Sequence, residues 1–204
     1  MMETKDLLKE YHKKRAFDIT AEPFGESKNT KDKDTQIFVI QKHDASHLHY
    51  DFRLSINGVL KSWAVPKGPS TDSSVKRLAL ATEDHPLEYA DFEGTIPEDQ
   101  YGGGTVMVWD AGTYENVKKD DDGNLIPMED QIEKGHTTFT LNGKKLKGAY
   151  TLIRTQKGKD EKWIFKKVDD DEADARRKPT STENKSVLTK RTMKEIEKES
   201  EKND

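Results

Sequence analysis

Two imidazoles, a carboxylate and a guanidinium share one face of a short apolar segment of this sequence. In the run from His47 to Leu54, the odd positions carry His47, His49, Asp51 and Arg53, whereas the even positions carry only leucine, tyrosine and phenylalanine. Alternate side chains leave a β-strand on opposite faces. The segment therefore predicts a strand with one polar and one apolar face.

The preceding segment ends with a similar polar face, which carries Gln41 and His43. Two neutral imidazoles and one carboxylate form a ligand set that suits a divalent transition metal and leaves positions open for water or substrate. An isolated His-x-Asp pair is more often a hydrogen-bonded surface pair, but the nearby His43 and Arg53 favour a metal site. We therefore predict His43, His49 and Asp51 as ligands, with the permanently charged fork of Arg53 beside them to bind phosphate.

The pair Asn57-Gly58 predicts a tight hairpin after this strand, because both residues tolerate the positive φ of a type I′ turn. A two-residue turn fixes the register of the returning strand. Ser62 and Ala64 would then lie opposite Arg53 and Asp51 on the polar face, and their small side chains leave room for an ion and a phosphate. The predicted pairs are Ile56 with Val59, Arg53 with Ser62, Phe52 with Trp63, and Asp51 with Ala64.

Further candidate residues lie outside this hairpin. Lys67 stands between two prolines that stiffen its loop, and His85 and Tyr89 follow a predicted strand, where functional groups are common. Arg77 belongs to that strand. The three glycines at 102–104 do not resemble a phosphate-binding loop that opens a helix.

The rest of the chain predicts a mainly β fold, a small antiparallel barrel or sandwich of about eight short strands with few helices. An amphipathic helix is predicted from Thr4 to Arg15 and a loop from Gly25 to Asp34, and Asn142-Gly143 predicts another hairpin turn. The eight predicted strands are Ile37–His43, His47–Leu54, Val59–Val65, Val75–Glu83, Thr105–Trp109, Thr137–Leu141, Ala149–Thr155 and Trp163–Val168.

Composition limits the classes of function. The 204 residues suffice for one sizeable domain and a tail, and a net charge of −4 argues against a broad basic surface that coats nucleic acid. An acidic run begins at Asp169, so we predict a domain over 1–168 and a charged tail over 169–204, in which Arg191–Lys202 could be helical. The absence of cysteine excludes disulfides and thiolate metal sites. Without an apolar leader or span, we expect a soluble, cytoplasmic protein.

Three segments strongly resemble the 3′-phosphoesterase family, which includes the end-processing module of bacterial DNA ligase D. The likeness covers nearly all of residues 10–168 and extends to the N-terminal pair Arg15 and Glu22. The segments are QKHDASHLHYDFRL at 41–54, KSWAVPKGP at 61–69 and EDHPLEYADFEG at 83–94.

The resemblance implies a small β-barrel enzyme that uses Mn²⁺, with Zn²⁺ or Co²⁺ as possible substitutes. Such an enzyme removes a 3′-terminal ribonucleoside from a DNA primer strand and then the remaining 3′-phosphate, which leaves a 3′-OH for repair. One departure is Ala16, where the family often has Asp. The matching positions imply metal ligation by His43, His49 and Asp51, phosphate binding by Arg15, Arg53, Lys67 and Arg77, and catalytic contacts from Glu22, Gln41, Arg53, His85 and Tyr89.

No ligase or polymerase motif occurs in the sequence, so we expect a stand-alone form. Its expected partners are a DNA primer-template with a 3′-ribonucleotide or 3′-phosphate end and separate ligase, polymerase and end-binding repair proteins. Two alternatives remain. One is a non-haem iron oxygenase that uses His49, Asp51 and His136. The other is a barrel that binds DNA ends without catalysis.

Overall fold

A closed antiparallel barrel of eight strands forms the body of the protein, as predicted. The computed structural model describes residues 7–25, 35–200 and 202. The barrel strands are β1 (Ile37–Asp44), β2 (Leu48–Ile56), β3 (Val59–Val65), β4 (Lys76–Ala81), β7 (Gly104–Asn116), β8 (His136–Gly143), β9 (Lys147–Gln156) and β10 (Lys162–Lys167). They follow the order β1-β2-β3-β4-β10-β9-β8-β7, and β7 pairs with β1 to close the barrel. Two short strands add to it: β5 (His85–Pro86) pairs with β3, and β6 (Gly94–Ile96) pairs with β7.

Helices are few and short. They are α1 (Lys9–Lys13), a 3₁₀ helix (Leu87–Asp91), α2 (Met128–Lys134), α3 (Pro179–Thr182) and α4 (Met193–Ser200). The start of the predicted N-terminal helix, Thr4 to Asp6, lies outside the described residues, as do most of the predicted loop, 26–34, and Glu201. None of the helices in the part of the chain that is described is long and apolar enough to cross a membrane.

The hairpin between β2 and β3 has the predicted register. Asn57 and Gly58 both have positive φ, 53° and 79°. Arg53 pairs with Ser62, Phe52 with Trp63, and Asp51 with Ala64. The turn thus sets which side chains share a face.

The apolar faces of the strands point inward and fill the barrel. Phe52 stacks on Phe165 with ring centroids 4.6 Å apart and on Phe139 at 5.7 Å. Trp63 and Trp163 meet edge to face in the same cluster. The interior is therefore a packed core, and the polar face of β2 must lie on the outside of the barrel.

The second predicted turn is displaced along the chain. Strand β8 continues through Gly143, and Asn142 pairs with Lys147, so the turn centres on Lys144 and Lys145 instead of Asn142-Gly143. The buried carboxylate of Asp110 accepts the backbone N–H groups of Lys144, Lys145 and Leu146 at 2.8–2.9 Å. A long-range carboxylate has decided the position of this turn.

The segment after Val168 packs on the barrel. The Trp109 indole donates to Glu183 O at 2.7 Å, and Tyr50 Oη donates to Thr180 O at 3.1 Å. Ile196 of α4 is buried in the main hydrophobic cluster. The division at Val168 stays a prediction, but these contacts tie the acidic segment closely to the strands.

Candidate metal centre and phosphate site

The three predicted metal ligands meet on the outer face of β1 and β2. His43 and His49 are directly opposite each other across the two strands, and Asp51 lies next to them. His43 Nδ1 is 3.4 Å from Asp51 Oδ2, and His49 Nε2 is 3.7 Å from Asp51 Oδ1. Tetrahedral ligands about 2.1 Å from an ion are roughly 3.4 Å apart, so this spacing fits a single shared ion.

The second nitrogen of each imidazole contacts a backbone carbonyl. His43 Nε2 lies 2.9 Å from Gly102 O, and His49 Nδ1 lies 2.9 Å from His47 O. A carbonyl only accepts, so these nitrogens carry hydrogen, and the nitrogen on the Asp51 side of each ring is the one that can bind an ion. Such outer hydrogen bonds are typical of histidines that bind a metal.

Asp51 is ionised in this setting. Burial raises the pKa of its carboxyl, but the Arg53 guanidinium and the neighbouring imidazoles outweigh that effect and lower it to about 2. An ionised carboxylate beside two imidazoles therefore provides a set of ligand atoms that suits a divalent cation.

Arg53 connects this cluster to the rest of the outer face. Its Nε donates to Gln41 Oε1 at 2.8 Å, Nη1 donates to Ser62 Oγ at 2.8 Å, and Nη2 reaches Asp51 Oδ2 at 3.3 Å. The amide nitrogen of Gln41 donates to two backbone carbonyls, Tyr89 O and Phe92 O. Gln41 thus has its amide hydrogens engaged within the protein and holds Arg53 in place.

His85 lies between two guanidinium groups. Its Nδ1 is 2.9 Å from Arg53 Nη1 and 2.8 Å from Glu83 O, and its Nε2 is 3.1 Å from Arg15 Nη2. Burial, followed by the charges of Arg53 and Arg15, lowers the pKa of His85 well below its usual value. The imidazole is therefore neutral here, with a guanidinium group on each side of it.

The N-terminal segment brings Arg15 and its carboxylates to the site. Arg15 Nε donates to Glu22 Oε1 at 2.9 Å, and Nη1 donates to Glu83 Oε1 at 3.0 Å. Tyr89 Oη donates to the same Glu22 oxygen at 2.9 Å, and Lys14 Nζ pairs with Glu83 at 2.9 Å. All these side chains form one network that joins α1 to the outer face of the barrel.

Three predicted or alternative residues lie apart from this network. Lys67 is exposed in the turn after β3. Arg77 has the same strand parity as Ala81, which pairs with the core residue Trp63, so it lies on the inward side of β4. His136 lies next to Lys118 at the start of β8 and does not join His49 and Asp51, which removes the ligand set of the oxygenase alternative.

Sequence reasoning assigned no role to four groups that complete the site: Ser62 Oγ, the Glu83 carboxylate, Lys14 and the carbonyl of Gly102. The hairpin register could have indicated Ser62, because it places that hydroxyl opposite Arg53. The other contacts join segments up to about seventy residues apart, and no local pattern marks them.

Comparison with known proteins agrees with this geometry. Residues 41–154 match the family model described as the DNA ligase D 3′-phosphoesterase domain. The multifunctional non-homologous end joining protein LigD of Pseudomonas aeruginosa is 49% identical over 170 residues, which are 81% of this chain and 19% of that protein. The LigD of Mycobacterium tuberculosis is 46% identical over 150 residues, 74% of this chain and 18% of that protein.

The chain spans about a fifth of the length of these relatives. The matched region contains the three clustered ligands, Arg53 and His85, and the family match covers more than half of the chain. The chain belongs to the DNA ligase D 3′-phosphoesterase domain family.

Proposed function

We propose that this protein is a metal-dependent phosphoesterase that heals the 3′ ends of DNA. It hydrolyses the bond between phosphorus and the O5′ of a 3′-terminal ribonucleoside, which leaves a 3′-phosphate. A second hydrolysis then releases inorganic phosphate and leaves a 3′-OH. The observation that carries the proposal is the continuous outer face on which a metal-ligand cluster, Arg53, His85 and Arg15 follow one another within hydrogen-bond distances.

The charges on this face suit phosphate chemistry. Phosphoryl transfer depends mainly on positioning and on neutralising the phosphate oxygens, and less on covalent help from the protein. The guanidinium groups of Arg53 and Arg15 are permanently charged, and the networks of Gln41 and Glu22 fix them in place before a substrate arrives. These groups would bind the phosphate and share the charge that develops on it.

His43, His49 and Asp51 would hold the metal, for which we propose Mn²⁺. A bound divalent cation supplies additional positive charge to a non-bridging phosphate oxygen. The ligand set also accommodates Zn²⁺ or Co²⁺, so metal identity must be measured.

His85 is the proposed proton carrier. Its pKa is lowered by burial and by two guanidinium charges, so the free protein holds it neutral. A phosphate dianion between Arg53 and Arg15 would offset those charges and favour protonation of the imidazole. His85 would thus take up a proton with the substrate and donate it to a phosphate oxygen or to the leaving group.

The substrate class follows from the relatives. Their printed names place them in non-homologous end joining, and we infer that the present chain acts on DNA termini in the same kind of repair. Ligase, polymerase and end-binding repair proteins are its proposed partners.

The direct test is turnover on defined primer-templates that carry one 3′-ribonucleotide or a 3′-phosphate. Wild-type protein, freed of metal with a chelator and then supplied with Mn²⁺, Zn²⁺, Co²⁺ or Mg²⁺, should yield 3′-OH product with Mn²⁺ and none without metal. His49→Ala should abolish the reaction, whereas His47→Ala, which changes an exposed histidine in the bend just before β2, should retain it. Binding of both primers without any conversion in any metal would refute catalysis and favour a DNA-end-binding module.

A further inference from the structure

An exposed aromatic residue lies one position before a backbone carbonyl that contacts a candidate metal ligand, and it takes no part in the chemistry proposed above. The Tyr101 side chain is 50% exposed, although most of the aromatic side chains of this protein are buried. The next residue, Gly102, provides the carbonyl that contacts His43 Nε2 at 2.9 Å. The residue that follows Tyr101 in the chain therefore contacts the candidate metal ligand His43.

The backbone around Tyr101 is firmly held. Gly103 N donates to Gln100 O and Gln100 N donates to Pro97 O, both at 3.0 Å. Gly104 has a φ of 135°, and a Cβ there would come within 2.2 Å of Asp44 O. The glycines thus allow this turn to lie against the end of β1, which fixes Tyr101 relative to His43.

The ring is also positioned by basic side chains. Lys14 Nζ lies 3.2 Å from Tyr101 Oη and 4.6 Å from the ring centroid, and Arg15 Cζ lies 5.7 Å from that centroid. Lys14 and Arg15 both pair with Glu83, which places the ring next to the network that contains His85. An exposed ring that is both held in place and next to a reactive centre can act as a stacking platform.

A groove of about 420 Å³ runs past this ring. Lys14, Glu83 and Tyr101 line it, together with Gly158 and Lys159 of the loop between β9 and β10. Its volume is in the range of small-molecule sites. The groove also contains the carboxylates of Glu10 and Glu161, so it favours an uncharged base over a chain of phosphates.

We propose that the open face of Tyr101 stacks on the nucleobase of the 3′-terminal ribonucleoside and that this groove receives the leaving nucleoside. The inference rests on the proposed function and assigns it a specificity element. A terminus that ends in phosphate has no nucleoside to place there. Tyr101 should therefore matter for removal of the nucleoside and much less for removal of the 3′-phosphate.

The test compares Tyr101→Leu and Tyr101→Phe on three primers, which end in a ribonucleotide, an abasic ribose or a 3′-phosphate. One stacked base contributes enough that Tyr101→Leu should raise KM for the ribonucleotide primer about 5- to 150-fold. Tyr101→Phe keeps the ring and should stay close to wild type. The ratio of nucleoside removal to phosphate removal should fall in Tyr101→Leu by the same factor, and the abasic primer should be insensitive to the substitution.

A binding measurement in chelator separates this inference from the proposed function. The fluorescence of a primer with a terminal 2-aminopurine ribonucleotide should be quenched when the primer binds to wild type or to Tyr101→Phe. Binding to Tyr101→Leu should leave the fluorescence unquenched. Quenching by Tyr101→Leu equal to wild type would refute the stacking site even if the enzyme is active. Equal loss of kcat on all three primers would also refute it, because Tyr101 would then act through Gly102 on His43. If wild type converts no primer but shows the quenching, the catalytic proposal fails and the base-binding site stands.

Discussion

The two segments that flank the barrel are both rich in charge, yet they contact it through different groups. The N-terminal segment, residues 7–25, presents side chains: Arg15 and Glu22 pair with each other, and Arg15 reaches His85. The C-terminal segment, residues 169–200, adds backbone carbonyls and apolar groups, such as Glu183 O and Ile196, to ion pairs such as that of Arg191 with Glu93. Segments of similar composition therefore complete the candidate site at one end of the chain and pack against the barrel at the other.

The largest effect should come from removing everything after Val168. The shortened chain would leave the Trp109 indole and the Lys145 ammonium without the Glu183 carbonyl, and it would uncover the pocket filled by Ile196. Lost apolar burial and buried unpaired donors together should cost about 5 kcal/mol or more of the free energy of unfolding. Urea unfolding would measure the loss.

The same truncation tests the difference between the segments. All proposed site residues precede Val168, so the folded fraction at low temperature should keep its activity per molecule. An unchanged unfolding midpoint would show that the C-terminal contacts do not stabilise the barrel.

Arg15→Gln should show the opposite pattern, with the main loss in activity. The Arg15 side chain is 4% exposed and joins Glu22, Glu83 and His85, so its removal should lower kcat on the order of 10²-fold. It should also cost about 3 kcal/mol of stability because two buried carboxylates lose a partner. Steady-state kinetics and denaturation would be measured in parallel.

Arg176→Gln is the matched control, because its side chain is 94% exposed and pairs with Asp174 at the surface. It should change stability by less than about 0.5 kcal/mol and leave kcat unaltered. If both arginine variants behave alike, the contrast between the two segments is wrong.

Lys67→Ala and Arg77→Ala should show a smaller, substrate-selective effect. A 3′-phosphate monoester carries nearly two charges and an internal diester carries one, so the loss of a phosphate-facing cation should slow monoester hydrolysis more, by about tenfold. A time course on a ribonucleotide-ended primer should then accumulate 3′-phosphate. Lys67 comes two residues after Val65, the last residue of β3, which pairs with Tyr50, the neighbour of His49 in the sequence. Arg77, in contrast, lies on the inward side of β4. If only Lys67→Ala slows monoester hydrolysis more than diester hydrolysis, the charge effect is limited to cations on the outer face of the barrel.

The smallest expected effect is a pH dependence of stability that originates from His85. Its pKa in the folded protein is lowered below 6.5, the ordinary value, so the unfolded chain takes up the proton first as pH falls. Stability should therefore fall as pH decreases below about 6.5, by at most about 1.4 kcal/mol per pH unit. His85→Gln should show a flatter profile between pH 7 and 5.5, above the range in which carboxylates such as Glu83 titrate. A slope equal to that of wild type would contradict the neutral, buried His85.

The fold was predictable where the evidence was local. Period-two alternation indicated the eight barrel strands, and Asn57-Gly58 fixed the register that places Arg53 opposite Ser62. Strand β5 and the full length of β7 were missed, because they depend on partners distant in sequence. Strand β6 pairs with nearby residues of β7, but its three residues are too few to show an alternating pattern. The Asn142-Gly143 turn was misplaced since the Asp110 carboxylate, thirty-four residues from Lys144, binds the backbone of the following residues.

The candidate site was predictable to a similar extent. Strand parity brings His43, His49, Asp51 and Arg53 together, as the structure also has them. The two backbone carbonyls that orient the imidazoles could not be predicted from the sequence, because every residue has a carbonyl and only the fold determines which one lies next to an imidazole. The contacts of the acidic C-terminal segment with the barrel were not predicted for the same reason, since its charge pattern indicated only a charged tail.

The alternation of β2 has a consequence for how this protein can diversify. Its inward residues, such as Phe52, pack in the hydrophobic core, and its outward residues, such as Asp51 and Arg53, form part of the candidate site. Substitutions at odd and even positions are therefore subject to separate selection. The candidate site residues also lie outside the filled interior of the barrel, so a long polymer would not have to thread through a channel to approach them. New end chemistries could thus arise by exchanging outward residues and flanking segments while the interior stays the same.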